Sequence, residues 1–180
     1  MVAALLHNPQ TAEVLYDRAA VDAMIAGQAQ RINTRYAGDR LLVLPVMTGA
    51  LVYAGQLLPH LAMPLELDYV HATRYDGARS GGSLQWLVRP RLSVSGRKIL
   101  LLDDILDEGI TLQRIADWLL DEGAAEVAIS VLVHKEKPVP QPCAPDFPAL
   151  MVPDRYVYGF GLDADGLWRN ANGIFVAPGA

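Results

Sequence analysis

Ile99–Leu112 reads ILLLDDILDEGITL. Four apolar residues run directly into Asp103 and Asp104, then through Asp107 and Glu108 to Gly109 and a helix-forming stretch. A short, wholly apolar run suits a strand covered on both faces. In open α/β sheets, ligands bind beyond the carboxyl ends of such strands, where loops enter helix N-termini. Gly109 permits a tight turn there, and the successive N–H groups of the helix start can cradle a phosphate, with the Thr111 hydroxyl as a further donor. Four carboxylates in six positions repel one another and an incoming phosphate. A divalent cation, or sugar hydroxyls donating to the carboxylates, relieves that cost. The plainer alternative is that Asp107 caps the helix and the other acids favour its positive end.

The pattern around this junction repeats its logic. Arg18–Tyr36 carries apolar residues at helical spacing (Val21, Met24, Ile25, Ala29, Ile32) and stops near Gly38. Leu41–Val46, LLVLPV, is a second strand of the buried kind, followed by the turn Met47–Thr48–Gly49 and a helix over Ala50–Leu61 closed by Pro64. Leu65–His71 alternates as a strand, Thr73–Gly82 reads as a loop, and Ser83–Val88 reads as a strand of its hairpin. A helix over Thr111–Glu122 ends at Gly123, and Glu126–Val133 forms a third buried strand. Strand–helix–strand alternation with short connections predicts an α/β fold, a parallel sheet with helices on both faces. Pro138–Pro148 breaks the rhythm, Tyr156–Phe160 reads as a short strand, and the tail Gly161–Ala180 as irregular structure. The expected organisation is one domain over 1–180, with a core of about 38–135 and a small cap from the chain ends, mainly 136–180.

Composition excludes several classes. The net charge of −5 argues against a nucleic-acid binder, since phosphate contacts need a local excess of Lys and Arg. One stretch runs against that balance: Arg74, Arg79, Arg89, Arg91, Arg97 and Lys98 face a single acid, Asp76. It is either a surface for a compact polyanion or a solvated basic loop. No apolar run reaches the roughly 18 residues that cross a bilayer, and the first residues do not read as a signal peptide. Cys143 is the single cysteine, so no intrachain disulfide forms, and a cytoplasmic location is expected.

The run from the apolar strand through Asp–Asp–Ile–Leu–Asp–Glu–Gly–Ile–Thr–Leu closely resembles the phosphoribosyl-diphosphate (PRPP) motif of type I phosphoribosyltransferases. The resemblance implies their Rossmann-like parallel-sheet core with a small hood. It implies that Asp103 and Asp104 hold the ribose hydroxyls and that Asp107, Glu108, Gly109, Ile110 and Thr111 surround the 5′-phosphate. Many family members carry Thr where this chain has Glu108, so the backbone N–H is expected to serve there. Met47, Thr48 and Gly49 fall where the family has its pyrophosphate loop, often with a cis non-proline peptide, and Thr48 stands where Lys is common. Arg169 matches an arginine that faces pyrophosphate.

Further matches resemble the hypoxanthine-guanine branch. Lys135 stands where that branch keeps a lysine for the O6 of the base; a cation there favours an oxo acceptor over an amino donor. Pro153–Asp163, PDRYVYGFGLD, resembles the base-binding hood. By that likeness Tyr156 stacks on the purine, Val157 contacts it through its backbone, and Asp163 helps to hold Mg²⁺, with Asp103 and Asp104 as further candidate ligands. On the residues alone, Tyr156 is equally well a core residue. Arg74–Tyr75 falls in the catalytic loop, where Ser–Tyr is common; Arg74 departs and Tyr75 matches. Asp107 is implied as the general base near N7 of the purine.

The implied activity is Mg²⁺-dependent transfer of a phosphoribosyl group from PRPP to hypoxanthine or guanine, by a homodimer or homotetramer without nucleic-acid or membrane partners. Two rivals differ in class. A regulator that kept the fold and binds RNA or DNA needs a basic face outside the site. A catalytically silent sensor of PRPP or nucleotide is favoured by Glu108, Thr48 and Arg74, and opposed by Asp107, Lys135 and Asp163. Within the enzyme class, xanthine or adenine is the alternative base.

Overall fold

The structure is a computed structural model that describes residues 8–74 and 84–177. Among these residues, ten strands and three α-helices follow one another: β1 (Glu13–Asp17), α1 (Arg18–Arg35), β2 (Leu41–Pro45), α2 (Ala50–Leu57), β3 (Leu65–Leu67), β4 (His71–Arg74), β5 (Leu84–Val88), β6 (Lys98–Leu106), α3 (Ile110–Asp121), β7 (Glu126–Lys135), β8 (Phe147–Val152), β9 (Val157–Tyr158) and β10 (Gly173–Val176). A 3₁₀ turn, Leu58–His60, completes α2.

Five strands pair in the order β3-β2-β6-β7-β8, all parallel. Every residue of β2 is buried because the sheet is covered twice, and alternate side chains feed two separate cores. Leu41, Val43, Leu100 and Leu102 pack with Val21, Ile25, Ala29 and Ile32 of α1 and Tyr53 and Leu57 of α2. Leu42, Leu44, Ile99 and Leu101 pack with Leu112, Ile115 and Leu119 of α3 on the other face.

The chain leaves β2 by way of α2 toward β3, and leaves β6 by way of α3 toward β7. The strand order therefore reverses between β2 and β6, and right-handed crossovers put the two helices on opposite faces. A crevice opens at that reversal. It is also where β2 stops: Pro45 pairs with Leu102, while β6 runs on beside β7 as far as Leu106. Asp103 and Asp104 thus leave the sheet next to a neighbour that has already turned away.

A second sheet, β1-β10-β9, joins the two ends of the chain over this crevice. Tyr158, Ala164, Ala171 and Phe175 form its small core, with Tyr158 and Phe175 stacked at 5.5 Å. β4 and β5 make a hairpin whose Trp86 meets Trp118 of α3 at 4.6 Å.

Several expectations are corrected. Leu65–His71 is not one strand: β3 belongs to the main sheet, whereas His71 opens the hairpin, whose β4 also takes in Thr73 and Arg74. The tail is not wholly irregular, because β10 pairs on both sides. β9 is shorter than Tyr156–Phe160, and Phe160 turns at φ 55°. The main sheet also extends beyond 38–135: β8 is its edge, and α1 packs on it. A buried Gln28 ties these outer parts down. Its Nε2 donates to the carbonyls of Val131 (2.9 Å) and Phe147 (2.7 Å) beside Pro148, which brings no N–H to the ladder. Tyr53 donates to Gln28 Oε1 at 2.8 Å and shares a 2.7 Å bond with Ser130.

Three of the described members of the basic stretch are used internally, while Arg79 and the Arg74 side chain lie outside the described residues. Arg97 pairs with Glu66, Lys98 with Asp39 at 2.8 Å, and Arg89 lies over Trp86 and Trp118. No described helix is long and apolar enough to cross a membrane.

Candidate active site

The crevice holds a cavity of about 500 Å³. Met47, Thr48 and Gly49 form one wall; Asp103, Asp104 and Asp107–Thr111 form another; Asp163 and Arg169 enter from the hood, and His71 and Thr73 from the hairpin. Residues from four separate stretches of sequence meet there. Lys135, Tyr156 and Val157 are not among its lining residues. Tyr75 lies outside the described residues.

The Met47–Thr48 peptide is cis. Its loop is held by Met47 N–H donating to Val70 O at 2.8 Å and Val46 N–H to Leu102 O at 2.8 Å. Gly49 then starts α2 with its backbone against Asp104, so closely that a Cβ would overlap the carboxylate.

Asp103 and Asp104 are consecutive on β6. Burial raises the Asp103 carboxyl well above its ordinary value, and the charge of Asp104 adds to that. Burial also raises Asp104, against the opposing charge of Arg169. Arg169 Nη1 stands 3.7 Å from Asp104 Oδ2 and donates to Gly161 O at 2.6 Å, while Nη2 meets Asp163 Oδ1 at 2.6 Å. The guanidinium therefore joins the sheet carboxylates to the hood. Asp163 Oδ2 accepts from Gly166 N–H at 2.8 Å.

The turn after β6 is set by Gly109, which caps α3 at φ 76°. Gly109, not Asp107, is the N-cap residue, and the Asp107 carboxylate is taken up by Lys135 and Lys137, so the capping role considered for Asp107 is not what the structure has. Open N–H groups remain at the start of α3 and face the cavity through Gly109, Ile110 and Thr111. Beneath the turn, Cys143 Sγ donates to Gly109 O at 3.3 Å.

Asp107 faces cations instead. Its Oδ2 meets Lys135 Nζ at 2.6 Å, and its Oδ1 meets Lys137 Nζ at 2.6 Å. Burial acts to raise this carboxyl, but the Lys135 hydrogen bond and the charges of both lysines outweigh it and hold the group below its ordinary value; Oδ1 meets Lys137 as an ion pair, without hydrogen-bond alignment. Lys135, at the end of β7, is 6% exposed and so is no solvated strand-end charge. Gln141 braces the turn, its Nε2 donating to the carbonyls of Asp107 and Lys135. Tyr156 is 42% exposed, which removes it from the core. Its hydroxyl donates to Asp163 O at 3.3 Å. Val157 is buried and pairs with Val176.

Lys137, Asp154 and Gln141 escaped sequence reasoning. A signal existed for Lys137, whose spacing of two from Lys135 puts both on one side of extended chain. Asp154 lies in the hood-like stretch Pro153–Asp163, but no local spacing pairs it with Lys137, which it meets at 2.6 Å across seventeen residues.

Residues 11–163 match the phosphoribosyl transferase domain family. The hypoxanthine-guanine phosphoribosyltransferase of Lactococcus lactis is 31% identical over 140 residues, covering 77% of this chain and 76% of that protein. The hypoxanthine-guanine-xanthine phosphoribosyltransferase of Tritrichomonas foetus is 29% identical over 160 residues, covering 87% and 86%. Among solved structures, a lysine-to-arginine mutant of the Trypanosoma cruzi hypoxanthine phosphoribosyltransferase, in a ternary substrates complex, superposes with a TM-score of 0.87. It shares 25% identity and covers 93% of this chain and 96% of that one.

Proposed function

The chain belongs to the phosphoribosyl transferase domain family, among the hypoxanthine-guanine phosphoribosyltransferases, and on that premise we propose that it transfers a 5-phosphoribosyl group from PRPP to hypoxanthine or guanine. The products are IMP or GMP and pyrophosphate. The observation that carries this reading is the meeting of the Met47–Gly49 loop, the Asp103–Thr111 turn, Asp163 and Arg169 around one cavity.

In this mechanism the helix-start N–H groups and Thr111 hold the 5′-phosphate, and Asp103 and Asp104 accept from the ribose hydroxyls. The N–H groups of the Met47–Gly49 loop, together with Arg169, bind the pyrophosphate. Lys135 donates to O6 of the base, Tyr156 stacks on it, and Val157 presents its backbone. The C1–oxygen bond of PRPP breaks with its pair going to pyrophosphate as N9 bonds to C1. The proton on N7 passes to Asp107, leaving its bonding pair in the purine ring, and Asp107 later returns that proton to solvent. Water has to be kept from the site, because hydrolysis of PRPP competes; Tyr75, the residue expected to serve there, lies outside the described residues.

The donor set fits Mg²⁺, which takes one or two carboxylates together with waters and substrate oxygens. Asp103 and Asp104 are raised by burial, so an added cation relieves them. Asp163, or Asp103 with Asp104, would hold the ion, and it would neutralise charge growing on pyrophosphate; among the described residues no three such carboxylates gather at one point.

The same reading takes the chain as one domain with a hood, in the cytoplasm, as a homodimer or homotetramer. Exposed Leu51, Leu67 and Tyr69 beside an apolar cleft of about 350 Å³ support an associating face, which sedimentation equilibrium tests.

The deciding experiment supplies PRPP, Mg²⁺ and each of hypoxanthine, guanine, xanthine and adenine, and follows pyrophosphate release. Turnover with hypoxanthine or guanine is expected. Preference for xanthine or adenine revises the base, and calorimetric binding of PRPP without turnover of any base makes the chain a sensor.

A further inference from the structure

Lys137 belongs to no role assigned so far, yet it makes two short ion pairs. Its Nζ is 2.6 Å from Asp107 Oδ1 and 2.6 Å from Asp154 Oδ1. Lys135 holds the other oxygen of Asp107 at 2.6 Å and is 3.9 Å from Asp154. Two cations and two anions thus form one closed, electrically balanced group beside the cavity. The lysines are not equivalent. The Lys135 side chain is 7% exposed, whereas that of Lys137 is 21% exposed and is shared between two carboxylates.

We propose that Lys137 is a positioning residue of the transfer: it keeps Asp107 oriented through Oδ1 when Lys135 turns to the purine, and Asp154 keeps Lys137 paired once Asp107 carries the proton. The proposal rests on the transferase reading above. Its physical basis is that a carboxylate accepting a proton strands any cation paired with it alone, and a stranded, partly buried cation is costly. Lys137 avoids that state, because at 2.6 Å from Asp154 it needs only to relax toward a partner it already has. Asp107 then gains a proton without leaving an unpaired ammonium behind. Two carboxylates also hold Lys137 itself protonated, its ammonium raised by their charges and by the hydrogen bond to Asp154.

The sign of the effect on Asp107 follows from the charges around it. Lys135 and Lys137 face its carboxylate directly, Asp154 faces it through them, and Gln141 holds its carbonyl. Glu108, Asp103, Asp104, Asp163 and Arg169 line the same cavity. Removing the Lys137 cation makes Asp107 easier to protonate, whereas removing the Asp154 anion leaves Lys137 wholly to Asp107 and makes it harder.

The test measures kcat/KM for hypoxanthine against pH at saturating PRPP and Mg²⁺ for the wild type, K137M, K137R and D154N. The acid limb of K137M is expected to move up by about one pH unit, the size of a single close opposite charge. K137R returns the limb to its wild-type place, and D154N moves it down. A K137M profile that superposes on the wild type overturns the proposal. D154N moving in the same direction as K137M overturns the part given to Asp154. ¹³C NMR of the aspartate carboxyls reads the same shift of Asp107 without turnover. A wild type that turns over no base therefore defeats the transferase reading and leaves the pairing of Lys137 separately measurable.

Discussion

Gly49 lies directly on the Asp104 carboxylate: a Cβ at position 49 would overlap Oδ2. From the other side, a Cβ on Gly161 would overlap the carbonyl oxygen of Gly49. The first turn of α2 is thereby clamped between the sheet carboxylate and the hood. No side chain fits at position 49 in that clamp, so the distance between the Met47–Gly49 loop and the acidic strand end is set by the Gly49 backbone resting on the Asp104 carboxylate.

Gly49→Ala should therefore displace the loop or Asp104 while leaving the two cores intact. Displacement of a positioning group by about 1 Å can cost on the order of 10²-fold. The expected loss of about that size in kcat/KM for PRPP is read by initial rates, alongside a thermal melt that changes little.

Gly27→Ala gives the opposite outcome. Gly27 is exposed within α1, and nothing lies within 4 Å of where its Cβ would be. Removing a helical glycine there should stabilise by about 0.5–1 kcal/mol. A Tm that fails to rise would show that α1 is strained at this point.

Asp107→Asn should lower kcat by about 10²–10⁴-fold, the range of a lost general base, while PRPP binding measured by calorimetry stays near that of the wild type. Near-unchanged turnover would remove Asp107 from the proton transfer.

Asp68 sets a pH dependence of stability. Burial acts to raise its carboxyl, but N–H groups of Leu92 (2.9 Å), Tyr69 (2.9 Å) and Arg91 (2.6 Å) donate to it and hold it below its ordinary value of 3.8. A depressed carboxyl stabilises the fold above its unfolded value, and that contribution is lost as pH falls through the lower, folded value. Asp68→Asn should cost about 1–3 kcal/mol at pH 7. The gap to wild type in urea melts should close as pH drops below about 4.

Gln28→Met keeps the volume and removes the donor to Val131 and Phe147. Leaving those buried carbonyls and the Tyr53 hydroxyl short of partners should cost about 1–3 kcal/mol for each orphaned group, read by urea unfolding. A loss below about 0.5 kcal/mol would mean that water or a shifted β8 replaces the amide.

The buried strands β2, β6 and β7, the helices between them and the acidic turn were legible because each is a local pattern. LLVL can be wholly apolar only where both faces are covered, and Gly109 can end a strand and cap a helix with no help from elsewhere. β1, β8 and β10 were not legible. They are edge or hood strands of four to six residues whose pairing partners lie far along the chain, and β8 begins in a Pro-rich stretch that Gln28 makes tolerable from α1.

The sequence by itself determined the parallel α/β core and the carboxylate-rich turn at the end of one strand, since strand burial and turn chemistry are written in neighbouring residues. Only the tertiary structure decided what that turn faces. The crevice exists because the strand order reverses between β2 and β6. Asp107 meets Lys135, Lys137 and, through them, Asp154 because β7 and the segment before β9 end at the same place. Such ion pairs are short in space and long in sequence, and no local spacing encodes them.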